Sequence, residues 1–144
     1  MLFQNILVPV DLSHQSTRAF KVALDIAKKY NSKITLLTCL ELDASHHLYY
    51  EARPSSQQVK KQSKIVKKHF EKLGSLAEKN NISIKSKILT LGSAVNNIVT
   101  YAKSQKYDLV VIGSHGRTGF DKLLLGSVAY GVSHKTTCPT LIVR

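Results

Sequence analysis

The segment VVIGSHGRTGFDKLLLGSVAYGV, residues 110–132, combines an apolar run with a series of closely spaced glycines. It opens with the end of YDLVVIG, a short apolar run rich in β-branched residues, which is typical of a strand buried on both faces. Gly113 and Gly116 follow at once, and Gly126-Ser127 comes later. Glycines at a strand end let backbone N–H groups approach an anion with no Cβ in the way. The stretch therefore predicts a buried strand followed by a loop that suits a phosphate.

Strand-like and helical segments alternate along the whole chain. Strands are predicted in QNILVPV, KITLLTCL, ISIKSKIL, YDLVVIG and CPTLIVR. Helices are predicted through STRAFKVALDIAKKY, over about 57–80, through SAVNNIVTYAKSQ with Ser93 as N-cap, and over about 121–135. A polar stretch over residues 41–58 has no clear period and indicates a long surface loop. Together these segments predict an α/β fold, a doubly wound five-stranded parallel sheet flanked by four helices, in one domain over residues 1–144.

Composition limits the class of protein. The 144 residues are 43% hydrophobic, which is enough to bury a core. No apolar run approaches the roughly 18 residues of a membrane span, and MLFQNILVPVDLS has neither a basic leader nor a cleavage site. Cys39 and Cys138 lie in or beside apolar segments without CxxC spacing, which favours packing roles in a reducing compartment. We therefore expect a cytoplasmic protein with no membrane partner.

The charge is strongly positive. The chain has 21 Lys and Arg against 9 Asp and Glu, a formal +12 that favours anionic partners. Much of the excess lies in VKKQSKIVKKHFEKL, residues 59–73, where the simplest interpretation is the solvated face of an amphipathic helix. The alternative is a basic interaction module that binds nucleic acid or an acidic partner and weakens steeply with salt. No aromatic residues are interleaved there for base stacking, so nucleic acid is the less favoured partner.

Ligands of doubly wound sheets bind beyond the carboxyl ends of the strands, where the winding reverses. The residues that follow the predicted strands are Asp11, Thr38 with Cys39, Gly92, and Gly113-Ser114-His115-Gly116. Taken singly they have ordinary explanations, since glycines make tight turns, Asp11 could cap the first helix, and His115 could be solvated. The glycines, Gly126-Ser127 and Asp11 in one crevice instead favour a phosphate site.

Two segments carry a family resemblance. The string GSHGRTGFDKLLLGSVAYGVSHKTTCPTLIVR, with spacing G-x2-G-x9-G-S, resembles the nucleotide-binding signature of the universal stress protein family, and ILVPVDLSHQSTRAFKVALDIA resembles its first strand and helix. The resemblance implies a Rossmann-like fold of the adenine nucleotide alpha hydrolase kind. It also implies the ATP-binding type of the family, which keeps this glycine pattern, and a homodimer formed through the last strand, here TLIVR.

The resemblance also assigns roles to residues. It implies phosphate and ribose contacts for Gly113, Gly116, Gly126 and Ser127, with an added backbone amide from Val128. It places Asp11 near the ribose or a Mg²⁺ ion, and Val10 and Cys39 near the adenine. The second strand ends LLTCLELD, where relatives often have a histidine and a valine, so the adenine wall is smaller here.

Motifs for chemistry are missing from the sequence. There is no GxxxxGK[ST], GxSxG or HExxH, and Ser114 and His115 do not form a nucleophile and base merely by adjacency. Arg117, which we include in the nucleotide site, and His115 could stabilise phosphoryl charge, but no base is evident. The sequence thus predicts an ATP-binding regulator of stress response that acts through nucleotide-dependent conformation or partner binding. It has no assigned catalytic residue, and the alternative enzyme is a weak Mg²⁺-dependent ATPase or a nucleotidyl-transfer enzyme.

Overall fold

The computed structural model describes residues 2–40, 56–116 and 124–144. Within these ranges strands and helices alternate as the sequence predicts. The elements are β1 Asn5–Pro9, α1 His14–Tyr30, β2 Lys33–Cys39, α2 Ser56–Lys79, β3 Ile84–Leu89, α3 Ala94–Ser104, β4 Leu109–Gly113, α4 Ser127–Lys135 and β5 Thr140–Val143. Of the predicted loop over 41–58, the last three residues are helical and belong to α2, and residues 41–55 lie outside the described ranges.

All strand pairs are parallel, and the sheet order is β3-β2-β1-β4-β5. The chain winds outward from β1 through β2 to β3, then returns to β4 on the other side of β1. The reversal lies between β1 and β4, which confirms the doubly wound topology. The carboxyl ends of these two strands, after Pro9 and Gly113, therefore flank the crevice where such sheets bind ligands.

The two faces of the sheet bury separate apolar clusters. Ile6 and Val8 of β1 pack with Phe20 of α1 and Phe70 of α2 in the first cluster. Leu7, which points the other way, packs in the second cluster against α3 and α4. Every residue of β4 is buried, as predicted for a strand covered on both faces. Four helices thus cover the sheet in two layers, α1 with α2 and α3 with α4.

Two of the helices begin at serine caps. Ser93 accepts a hydrogen bond from the Asn96 backbone N–H at 3.1 Å, which confirms the predicted cap of α3. Ser13 accepts from the Ser16 N–H at 3.1 Å at the start of α1. Each side chain satisfies one of the donors that the first turn of a helix leaves free, and so fixes where the helix starts.

The start of α4 corrects the sequence prediction. The helix begins at Ser127, and the predicted start near Asp121 is wrong for residues 124–126; residues 121–123 lie outside the described ranges. Gly126 is the N-cap, with an extended ψ of 156°. Its N–H donates to the Ser114 carbonyl at 2.7 Å, a contact that a helical backbone would not make. This tertiary hydrogen bond holds Gly126 outside the helix, so the helix begins at Ser127.

The two cysteines lie beside the core. Cys39 and Cys138 are half-buried and packed against the second apolar cluster. This agrees with their predicted role as small packing residues. Among the described helices, none combines the length and hydrophobicity that a membrane span requires.

Candidate functional site

A pocket of about 350 Å³ opens at the carboxyl ends of β1 and β4. Eight of the residues assigned to the nucleotide site line it: Val10, Asp11, Cys39, Gly113, Gly116, Gly126, Ser127 and Val128. Arg117 lies outside the described ranges. Gly92 is not part of the lining; its φ of +86° serves the turn before α3. The crevice expected from the sheet topology is therefore a real cavity that brings together residues far apart in sequence.

Asp11 is fixed by the turn that leads from β1 into α1. Its Oδ1 accepts a hydrogen bond from the Ser13 N–H at 3.0 Å, and its own N–H donates to Ser16 Oγ at 3.3 Å. Leu12 between them has a left-handed φ of +71°. The helix cap is Ser13 and not Asp11, so the capping explanation for Asp11 does not hold. Within the described ranges no hydrogen bond is donated to its Oδ2.

The glycines of the loop after β4 are used for close approach. A Cβ built at Gly113 would lie 3.0 Å from the backbone carbon and Cβ of Gln15, and one at Gly116 would lie 2.6 Å from Oδ2 of Asp11. Neither glycine has a left-handed φ. These two positions therefore require glycine because a side chain would not fit between the end of β4 and its neighbours, and not because the backbone makes a tight turn there.

The N-terminus of α4 closes another side of the pocket. A Cβ at Gly126 would lie 2.8 Å from the Ser114 carbonyl oxygen, which accepts the Gly126 N–H. The first-turn amides of Ser127 and Val128 have no i−4 carbonyl to donate to, and Gly126 has no side chain that could accept from the first turn as a cap. Both residues line the pocket. The free N–H groups and the positive end of the helix dipole favour an anion there.

Ser114 joins the pocket loop to the edge of the sheet. Its N–H donates to the Val143 carbonyl at 2.8 Å, and its carbonyl accepts from Gly126. Its hydroxyl, buried with the rest of the residue, lies 3.1 Å from Nδ1 of His115. The adjacency of the two residues in sequence did not indicate this hydrogen bond. Within the described ranges no carboxylate is hydrogen-bonded to His115, so the pair has no third member to orient the imidazole as a base.

The opposite end of the pocket is apolar. Val10 is buried, and Thr38 Oγ1 donates to its carbonyl at 2.8 Å, which joins the ends of β1 and β2. Cys39 and Leu40 continue this wall, and the Leu40 N–H donates to Leu89 of β3 at 2.8 Å. The pocket thus has an apolar end at β2 and an end rich in backbone N–H groups at β4 and α4, which suits a flat apolar ring joined to an anion.

Sequence reasoning missed part of the lining. The additional residues are Pro9, Leu12, Ser16, Leu40, Gln62, Val66, Ala94, Ile98, Ile112, Ala129, Leu124 and Leu125, besides Thr38, Ser114 and His115, which the sequence did single out. Gln62 and Val66 come from α2, a helix predicted only for its core and its lysines. Helical periodicity shows which face is buried but not which turn reaches a cavity, so no signal in one sequence identifies them.

Comparison with known proteins agrees with the fold. A sequence model of the Universal stress protein family matches residues 2–144. A universal stress protein of Methanocaldococcus jannaschii, MJ0531, is 32% identical over 147 aligned residues, covering 99% of this chain and 83% of the relative. The solved structure of UspA from Lactobacillus plantarum superposes with a TM-score of 0.83 at 23% identity, covering 100% and 99% of the two chains.

A second solved structure is of a universal stress protein from Archaeoglobus fulgidus in complex with dAMP. It has a TM-score of 0.71 at 20% identity, and the match covers 100% of both chains. At these identities the two structures establish the shared α/β fold. The family model and the archaeal relative extend over nearly the whole chain. The chain therefore belongs to the universal stress protein family.

Proposed function

We propose that this chain binds an adenine nucleotide, ATP with Mg²⁺, in the pocket between β1 and β4, and that occupancy regulates its conformation or its choice of partner during cytoplasmic stress response. One observation carries the proposal. The Gly113–Gly116 loop, Asp11 and the free amides of α4 converge on one cavity that has an apolar wall opposite them. The dAMP complex of the Archaeoglobus fulgidus relative supports an adenine nucleotide as the ligand.

The phosphates would lie at the glycine end. Gly116 leaves room for the Asp11 carboxylate beside its backbone, and Ser127 and Val128 line the same pocket. Hydrogen bonds to charged groups contribute roughly 1.5–3 kcal/mol each, so three or four of them sustain micromolar affinity, about −8 kcal/mol, after entropic costs. Gly116, Ser127 and Val128 are thus the proposed phosphate contacts, with Gly113 and Gly126 allowing the loop and helix to approach.

The adenine would lie at the β2 end. Val10 and Cys39 offer apolar contact to a planar ring, and Ile98 extends the wall from α3. No charged side chain of the described ranges lines this end of the pocket. At such a wall the adenine would be recognised by stacking and by shape, and not by hydrogen bonds to charged side chains that distinguish one base from another. Discrimination among purines is therefore expected to be modest.

The residues that line the pocket could bind Mg²⁺ only together with the phosphates of a nucleotide. Asp11 is the one carboxylate among the described lining residues, and its Oδ2 is free of protein donors there. The described part of the chain holds no group of three or more His, Cys, Asp or Glu side chains that could bind a metal alone. Mg²⁺ is commonly held by one or two carboxylates plus phosphate oxygens and water. Asp11 would supply that carboxylate, and the bound ion would neutralise phosphate charge.

We assign binding and not catalysis to the site. Ser114 is buried and its hydroxyl is engaged with His115, and no described carboxylate orients that imidazole. Hydrolysis needs a positioned water and a base, so turnover should be slow at most. The weak Mg²⁺-dependent ATPase remains the second candidate, because Asp11 would hold the ion against the phosphates. Phosphate release that Asp11→Ala abolishes would favour it.

The proposed homodimer would use β5. This strand pairs only with β4 among the described strands, so its other edge is open, and Leu141 on it is exposed. Open strand edges pair with other chains unless a charge blocks them. Sedimentation equilibrium should show a dimer for the unaltered chain and a shift to monomer in Leu141→Lys. A monomeric unaltered chain would overturn this part of the proposal.

Calorimetric titration with ATP and Mg²⁺ tests the nucleotide site. We expect a micromolar Kd for the unaltered chain and a Kd at least about tenfold higher for Gly116→Val, a loss of about 1.4 kcal/mol. Gly74→Ala is the matched control, because a Cβ there would meet only Ile84 Cδ1 at an ordinary 3.7 Å, away from the pocket. The proposal fails if the unaltered chain gives no binding by calorimetry or by a fluorescent nucleotide, or if folded Gly116→Val binds equally well.

A further inference from the structure

The outer face of the α1–α2 layer is strongly basic. Eleven exposed lysine or arginine side chains define this basic face: Arg18, Lys21, Lys28 and Lys29 on α1, and Lys60, Lys61, Lys64, Lys67, Lys68, Lys72 and Lys79 on α2. Only three exposed acidic residues share it, Asp25, Glu71 and Glu78. The face therefore has a net charge of +8, against a formal net charge of +12 for the whole chain. Sequence reasoning considered α2 alone, and the structure adds α1 beside it.

Helix geometry places these charges outward. On α2 the buried residues Val66, Phe70, Leu73 and Ala77 face the sheet. At about 100° per residue, the lysines from Lys60 to Lys72 occupy an arc of about 140° on the opposite side. None of the eleven side chains forms an ion pair within the described part of the chain. The charges are thus not neutralised by described neighbours and are available to an external anion.

The opposite layer lacks this character. Helices α3 and α4 carry Lys103 and Lys135 as their only lysines or arginines. The basic face thus holds eleven of the eighteen lysine and arginine side chains in the described ranges, and the positive charge is densest there. Such an asymmetry produces a directional field, which steers an extended polyanion to that side.

We propose that the basic face docks on the phosphate backbone of a double-stranded nucleic acid, independently of base sequence. Duplex DNA carries one negative charge per about 1.7 Å of axis, a charge density that suits a face with eight excess positive charges. Helix α2 has 24 residues, so it is about 36 Å long, close to the roughly 34 Å of one duplex turn. The proposal is independent of the nucleotide site, which opens at the carboxyl ends of the strands.

The chemistry of the face favours a duplex backbone over base reading. Ten of the eleven basic residues are lysines, which contact phosphates as point charges and lack the planar fork by which arginine recognises its partners bidentately. Tyr30, at the end of α1, packs against Phe3, and α2 exposes no aromatic ring on which a single strand could stack. Contacts limited to lysine and phosphate position a protein on a duplex without specifying sequence.

Other anionic partners fit less well. Lysine is depleted at specific protein interfaces, which rely on aromatic and arginine anchors. A bilayer surface would favour a row of apolar side chains among the lysines, and α2 exposes only Ile65 among its large hydrophobic residues. Both partners are therefore outcomes of the test and are not proposed.

The test is a fluorescence anisotropy titration of labelled 24-base-pair duplexes of two unrelated sequences, without nucleotide, from about 50 to about 200 mM KCl. The two duplexes should bind with equal Kd, and log K should fall with log salt with a slope of about −3 to −6. Lys64→Glu with Lys68→Glu should weaken binding at least about tenfold and reduce the slope by about two, since two phosphate contacts are lost.

The matched control reverses the same number of charges elsewhere. Ile84 and Ile88 of β3 pack toward α1 and α2, so the alternating Lys85 and Lys87 point to the opposite side of the sheet. Lys85→Glu with Lys87→Glu should change the Kd less than about threefold, because a charge more than a Debye length of about 10 Å away is screened. Circular dichroism and ATP titration confirm that both variants fold.

Several results would overturn the proposal. They are the absence of duplex binding at the lowest salt, an equal loss in the control variant, and tighter binding to the corresponding single strand. A parallel sedimentation assay uses phosphatidylcholine vesicles with and without phosphatidylserine. Binding to the anionic vesicles without binding to the duplexes would also overturn it and would indicate a membrane surface as the partner.

Discussion

Oδ2 of Asp11 lies so close to the backbone of Gly116 that a Cβ built at residue 116 would be only 2.6 Å from it. The two residues belong to loops that follow different strands, β1 and β4, and 105 positions of sequence separate them. Both residues line the pocket. The Asp11 carboxylate thus fits in this place only because residue 116 has no side chain.

This contact predicts energetic coupling between the two positions. Gly116→Ala forces a Cβ against Asp11, so we expect the free energy of unfolding to fall by about 1–3 kcal/mol, as in other overpacked sites. In an Asp11→Ala background the same substitution should cost at least about 1 kcal/mol less, because the carboxylate is gone. Urea denaturation of the four proteins measures the cycle. Additive losses would mean that the loops relax apart and that the contact is not a constraint.

The charge of Asp11 predicts how Mg²⁺ affects binding. Asp11→Asn retains the oxygen that accepts the Ser13 N–H but removes a negative charge beside the proposed phosphates. Without metal, ATP should bind severalfold more tightly to the variant, because a repulsion is lost. Mg²⁺ should raise the ATP affinity of the variant less than it raises the ATP affinity of the unaltered chain. Parallel titrations with Mg²⁺ and with EDTA measure both effects.

Asp25→Asn is the control for this experiment. Asp25 is exposed on α1 and does not line the pocket, so its removal changes net charge equally without touching the site. It should leave the ratio of the two Kd values unchanged. If Asp11→Asn also leaves that ratio unchanged, Asp11 does not hold the ion.

Much of the fold follows from local pattern. The apolar run of β4 and the serine cap of α3 were predicted because burial on two faces and capping each have a signature within a few residues. The same holds for the site in outline, because glycines directly after a buried strand indicate close backbone approach. These features depend on neighbours in sequence, and a single sequence contains them.

What could not be predicted depends on contacts between distant segments. The start of α4 is set by the hydrogen bond from the Gly126 N–H to the Ser114 carbonyl, which joins two segments that the sequence separates. The contribution of Gln62 to the pocket and the pairing of α1 with α2 in one basic face arise only when helices pack on the sheet. Periodicity identifies the buried side of a helix. Which other elements that helix packs against depends on the topology of the whole fold.

Packing between α3 and α4 predicts an effect on stability alone. A Cβ at Gly131 would lie 2.8 Å from Cγ2 and 2.9 Å from Cγ1 of Val95. Gly131→Ala gains up to about 1 kcal/mol of helix propensity but overpacks this contact by about 1–3 kcal/mol, so we expect a net loss. With Val95→Ala the clash disappears, and Gly131→Ala should then stabilise the protein.

Thermal and urea unfolding of the single and double variants measure these changes, and ATP affinity should be the same in all of them, since neither residue lines the pocket. If Gly131→Ala proved stabilising with Val95 present, the two helices would have enough freedom to separate. The close contact of α3 and α4 would then not limit the choice of residue at position 131.

His69 on α2 predicts how stability depends on pH. Its Nε2 is buried and has no hydrogen-bond partner within the described ranges. Burial, reinforced by the nearby charge of Lys72, lowers the pKa of this imidazole below its ordinary value of 6.5, although Asp11 acts in the opposite direction. The unfolded chain therefore binds a proton at higher pH than the folded chain does. The stability that neutral His69 contributes is fully present above about pH 6.5, and it is lost as the pH falls toward the lowered pKa of the folded chain.

His69→Leu removes the titration and keeps an apolar side chain at a half-buried position. The unaltered chain should lose stability relative to this variant as the pH falls from about 7.5 to about 5.5, and the difference between them should be constant above about 7. Urea unfolding at a series of pH values measures the difference, with exposed His134→Leu as the control. A difference that grows as the pH rises would mean that protonated His69 gains a partner in the folded chain, in which case Asp11 and not burial controls its charge.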